Sequence, residues 1–82
     1  MTFRLFENRI LRAARDGRIG CRKGAGKLRK VLRSPEGRRE LHKRIVVRFG
    51  DVPARSDGAF LDWLAQNWDE ILQIVLAILA IL

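Results

Sequence analysis

Apolar residues recur along this chain with a helical period, and the period changes character from one end to the other. In residues 2–15, Phe3, Phe6, Ile10 and Ala13 or Ala14 fall three or four apart with Leu11 beside them, while Arg4, Asn8, Arg12 and Arg15 lie elsewhere. That spacing predicts an amphipathic helix. Thr2 can cap its start, and Asp16-Gly17 is a stop signal, with Gly17 free to take a left-handed cap. Residues 16–26 hold four glycines and no period, so they read as a loop. Residues 27–33 predict a short helix with Leu28, Val31 and Leu32 on one side.

Ser34-Pro35-Glu36 is a strong helix start: a hydroxyl cap, proline in the first helical position and an acid in the first turn. The helix it opens covers 35–44 and extends toward Phe49 if the four-residue recurrence of Leu41, Ile45 and Phe49 is continued. The β-branched run Ile45-Val46-Val47 is the one place where a short strand competes. Gly50, Pro53 and Gly58 punctuate a hinge over 50–58, with Asp57 as the expected cap of the next helix.

Residues 59–82 contain no Gly or Pro. Leu61, Leu64, Trp68, Ile71, Val75, Ile78 and Leu82 are spaced alternately three and four apart, a heptad seam. Asp62, Gln66, Asp69 and Gln73 make the opposite stripe, which then gives way to Ala77 and Ala80. The pattern predicts one long helix, amphipathic first and apolar all round later. The fold class expected is therefore mainly α: two or three short basic helices in 1–49, a Gly/Pro hinge at 50–58, and a long hydrophobic helix over 59–82.

Charge divides the chain at the hinge. Residues 1–50 carry sixteen Lys/Arg and four acids; the rest carry one Arg and five acids, which together give the net +8 of the 82-residue chain. A segment of such cation density binds polyanions by releasing their counterions. The candidate contacts are Arg12, Arg15, Arg18, Arg22, Lys23, Lys27, Arg29, Lys30, Arg33, Arg38, Arg39, Lys43 and Arg44. They are spread over three helices and a loop, which fits phosphate contacts better than a base-reading helix. The aromatics before residue 60, Phe3, Phe6 and Phe49, sit at core spacing and give no base-stacking platform. Anionic lipid head groups would draw on the same charges, and would place this half on the cytoplasmic side of a membrane.

Catalytic and metal chemistry find little footing. One Cys (Cys21) and one His (His42) cannot make a four-ligand zinc site or an internal disulfide. The run GCRKGAGK at Gly20–Lys27 departs from the phosphate-loop pattern, because Cys21 stands where a glycine is needed and Leu28 where Ser or Thr is. His42, among Arg38, Arg39, Lys43 and Arg44, is expected to be solvated or phosphate-facing. Asp69 and Glu70 point about 100° apart on a helix, which suits a polar contact between helices or with head groups rather than acid–base work. No enzyme, cofactor or small-molecule substrate is expected. The basic N-terminus, with no apolar stretch before a small-residue cleavage site, does not read as a secretory signal.

A helix apolar on every side must be covered on every side, and the first fifty residues offer few large apolar groups for the purpose. The seam Leu61, Leu64, Trp68, Ile71, Val75, Ile78 and Leu82 is thus expected to face a second copy, a larger protein assembly or a membrane rather than the chain's own core. A simple membrane span is disfavoured by Asp62, Asp69 and Glu70 within the stretch.

As an architecture, an Arg-rich N-terminal half, a Gly/Pro hinge and an apolar C-terminal helix resemble small structural proteins of bacteriophage particles. The resemblance implies a non-enzymatic minor virion component, touching packaged genome with one end and shell or membrane with the other. Small phage lysis proteins, which disrupt membranes, have a similar division. A soluble nucleic-acid-binding regulator that dimerises through its C-terminus is a third expectation.

Overall fold

The computed structural model describes residues 1–15, 22–50, 52 and 56–82. The expected cap at Gly17, Arg18, Cys21 and part of the hinge (51 and 53–55) lie outside them. Among the described residues there are five helices and no strand: α1 (Phe3–Arg15), α2 (Ala25–Leu32), α3 (Pro35–Phe49), α4 (Asp57–Gln66) and α5 (Trp68–Leu79). The expectation of a mainly α chain holds.

Local chemistry sets the helix starts. The Leu5 amide donates to Thr2 Oγ1 at 3.2 Å, and the Gly37 amide donates to Ser34 Oγ at 2.9 Å, with Pro35 at the first position of α3. The helix then continues through Ile45-Val46-Val47 to Phe49, so the strand alternative is not taken. At α4 the expected cap is displaced by one residue. Ser56 accepts from the Ala59 amide at 3.1 Å, while Asp57, already helical, accepts from Arg9 at 3.2 Å and Arg12 at 2.7 Å. A carboxylate in the first turn is favoured by the helix dipole, and here it also ties α4 to α1.

The long C-terminal helix is not formed. It is interrupted at Asn67, whose backbone (φ −110°, ψ 17°) leaves the helical region and whose Nδ2 donates to the Trp63 carbonyl at 2.8 Å. Asparagine competes for nearby backbone groups in this way. An unbroken 24-residue helix would run to about 36 Å, longer than the 32 Å of the whole molecule. The break turns α4 toward α1 and lets α5 lie on α2 and α3.

The seam is corrected with it. Leu64, Trp68, Ile71, Val75 and Ile78 are buried inside the chain, in one cluster with Phe6 and Ile10 of α1, Leu28, Val31 and Leu32 of α2, Leu41 and Ile45 of α3, and Phe60 of α4. They do not form a free oligomer or membrane face. Of the seven seam residues only Leu61 and Leu82 escape full burial, and Leu82 is 57% exposed. The chain covers the seam itself because α5 is only twelve residues long, so α2, α3 and α4 together shield its inner side. Asp62, Gln66, Asp69 and Gln73 remain the solvent stripe.

Rings connect the layers. Phe6 meets Phe60 edge-on at 6.1 Å, and Trp63 packs against both Phe60 (5.9 Å) and Phe49 (5.2 Å). His42 is drawn into this packing rather than toward solvent or phosphate. Its ring lies 5.1 Å from Phe6 and 5.5 Å from Phe3, with Nε2 3.3 Å from the Met1 carbonyl oxygen. Val52, within the expected hinge, is buried in the same core, which therefore draws on both sides of the hinge.

Candidate nucleic-acid interface

Folding sorts the cations into two kinds. On α1 and α3 several are consumed by internal ion pairs. Arg9 and Arg12 hold Asp57, Arg38 Nε lies 2.7 Å from Glu7, Arg44 Nε lies 2.9 Å from Glu40, and Arg48 Nη2 lies 2.9 Å from Glu70. The last pair is close enough for attraction but out of hydrogen-bonding alignment. It realises the polar contact between helices expected of Glu70.

Arg38 is the extreme case. Only 19% exposed, it donates to Glu7 and, through Nη1, to the Leu32 carbonyl at 2.6 Å. That carbonyl ends α2, where helix carbonyls lack partners. Arg38 thus works as a strut between α1, α2 and α3. We expect Arg38→Gln to lower stability by about 1–3 kcal/mol, read as a fall in the thermal midpoint, and to leave binding to polyanions nearly unchanged. Loss of polyanion binding with an unaltered midpoint would refute the strut role.

The segment 22–33 is of the other kind. It carries Arg22, Lys23, Lys27, Arg29, Lys30 and Arg33 with no acid, and all six are exposed. Among the described residues none of them has an ion-pair partner. The arrangement follows from the helix period. Ala25, Leu28, Val31 and Leu32 turn inward, so every charged position of α2 is left on the outer face.

Two contacts from α5 fix this face. Trp68 Nε1 donates to the Lys23 carbonyl at 2.9 Å, and Leu72 packs against Gly24. Gly24 begins α2 at φ 86°, a left-handed conformation that a side chain would strain, and a Cβ there would fall 2.4 Å from Leu72 Cδ1. The apolar C-terminal helix therefore supports the basic face from beneath.

Two shallow hollows open on this side. One, of about 510 Å³, is lined by Gly24, Gly26, Lys27, Arg29, Lys30 and Arg33. The other, of about 310 Å³, lies where α1 meets α2 and is lined by Leu11, Ala14, Arg15, Arg29, Leu32 and Arg33. Among the described residues neither is lined by an acid. Comparison with protein-family models, curated proteins and solved structures gives no significant match.

The other expected contacts are distributed differently. Lys43 and Arg44 line a groove of about 780 Å³ between α3 and α5, together with Glu40, Glu70 and the 81%-exposed Val47. Its mixed charge makes it a poor seat for a polyanion. Arg39 is exposed on α3, and Arg12 is engaged by Asp57. The apolar floor of the smaller hollow is absent from the sequence expectations. Ala14 and Leu32 read in the sequence as core positions, and Leu11 falls beside the core stripe rather than on it.

No cluster of metal-ligating side chains occurs among the described residues. No helix there is long and apolar enough to cross a membrane.

Proposed function

We propose that this protein is a non-enzymatic binder of nucleic acid that grips the sugar–phosphate backbone through the outer face of α2 and the adjoining end of α1. One observation carries the reading: six exposed cations in 22–33 have neither an acid among them nor an ion-pair partner among the described residues. On α1 and α3, by contrast, several cations are balanced by carboxylates within reach. Leaving one face uncompensated costs self-repulsion in the free protein, and that repulsion is relieved when phosphates occupy the face. Side chains that radiate from a short helix suit phosphate positioning rather than base-by-base discrimination.

The shell- or membrane-inserting end of the bacteriophage resemblance is not part of this proposal, since the helix that would insert supplies the core. The genome-contacting end is the part that the basic face supports.

The test is fluorescence anisotropy with labelled oligonucleotides between about 50 and 200 mM salt. Binding is expected to weaken linearly on a log–log plot. Changing Lys27, Arg29, Lys30 and Arg33 together to Gln should reduce the slope by about four while the helical signal stays intact. Absence of binding at the lowest salt, or an unchanged slope in the variant, refutes the reading.

A further inference from the structure

The smaller hollow has a composition that phosphate alone does not explain. Its floor is Leu11, Ala14 and Leu32, and its rim is Arg15, Arg29 and Arg33. Leu11 stays 36% exposed although the core lies next to it. A phosphate gains nothing from an aliphatic floor; a ligand that is apolar on one part and anionic on another gains from both.

The choice of cation narrows the ligand further. The rim is entirely arginine, while both lysines of α2, Lys27 and Lys30, belong to the neighbouring, more polar hollow. Lysine serves as a point charge, whereas the planar guanidinium also stacks on π faces. Three arginines around an aliphatic floor therefore suit a flat aromatic ring with charges attached. At about 310 Å³ the hollow lies at the small end of ligand-pocket volumes, so it suits one ring system rather than a run of them.

We propose that the α1–α2 hollow seats one unpaired base of a single-stranded nucleic acid, lying on Leu11 and Leu32 against the arginine planes, while the adjacent cations of α2 hold the flanking phosphates. This rests on the proposed phosphate-binding function and deepens it. Bases inside a duplex are already stacked and cannot enter, so the seat confers a preference for single strands.

The experiment compares a single strand carrying bases with an abasic strand of the same length, and so of the same phosphate count. The wild-type chain is expected to bind the base-bearing strand roughly three- to fivefold more tightly, with equal salt slopes for the two. The triple variant Arg15→Lys, Arg29→Lys, Arg33→Lys keeps all charge and should bind both strands alike with an unaltered slope. Leu11→Ser, at an exposed position, should also narrow the difference.

Equal binding of both strands by the wild type overturns the base seat and leaves the phosphate reading standing. Absence of binding to either strand at low salt overturns both. A triple-lysine variant that retains the preference overturns the arginine-stacking assignment. Tighter binding to phosphatidylglycerol vesicles than to the base-bearing strand, at equal phosphate, overturns the seat in favour of an acyl chain.

Discussion

Replacing Ile71 by Asp is expected to unfold the chain. Ile71 has no exposed surface and sits in the cluster that joins all five helices. The substitution forfeits about 1.5–3 kcal/mol of apolar burial. It also forces a carboxylate either into an apolar interior or into its protonated form, at a cost of several kcal/mol more. A domain of this size holds only a few kcal/mol of net stability, so the loss exceeds the reserve.

Far-ultraviolet circular dichroism should show the helical signal largely gone at 25 °C, and gel filtration an expanded chain. Gln66→Glu, on the solvent stripe, should leave both unchanged. The opposite result is equally plain: if Ile71→Asp gave a folded monomer with full helicity, the seam would lie on the outside as an assembly face and the packing of α5 against α2 and α3 would be wrong.

The second large effect is expected at Gly37. Glycine in a helix is ordinarily about 1 kcal/mol worse than alanine, so Gly37→Ala would ordinarily stabilise. At this position a Cβ would fall 2.1 Å from the Val31 carbonyl oxygen and 3.0 Å from Ser34 Oγ. The obstacle is backbone, and moving it would displace the end of α2, where the Leu32 carbonyl receives Arg38.

We expect the sign to reverse, with a loss of about 1–3 kcal/mol and a fall in thermal midpoint of roughly 4–8 °C per kcal/mol. Gly26, exposed in the first turn of α2, has nothing within 4 Å of a Cβ, so Gly26→Ala should be neutral or mildly stabilising. Parallel thermal melts of the two variants check the contrast; a stabilised Gly37→Ala chain would mean that α2 and α3 do not cross this closely.

Both predictions concern features that the sequence presents and does not interpret. The pattern of Ile71, Val75 and Ile78 is plain in the chain, and so is the fact that it must be covered. Which surface covers it depends on whether the first fifty residues can be brought to it, and composition is a poor guide to that. Phe6, Ile10, Leu28, Val31, Leu41 and Ile45 look sparse when counted among sixteen cations, yet each points inward and all converge. Gly37 looks like an ordinary weak point of a helix until α2 is laid against it.

The basic face was partly legible. Density of charge pointed to polyanions, and the cations of 22–33 are among the thirteen candidate contacts. Sequence could not separate them from Arg12 or Arg38, because an ion pair between residues far apart in the chain has no local signature. The pairs of Arg38 with Glu7 and of Arg12 with Asp57 join residues 31 and 45 positions apart.

By itself, then, the sequence determined the helices of the first half, through the periods and the hydroxyl caps at Thr2 and Ser34, and the excess of cations before residue 50. Those are local properties, set by neighbours three or four residues away. The tertiary structure decided that the C-terminal stretch breaks at Asn67 and becomes core, that Arg38 is a strut, and that the segment 22–33 offers six exposed cations, unopposed among the described residues, beside a floor of aliphatic carbon. Those depend on which surfaces meet, and burial and charge pairing are settled only when they do.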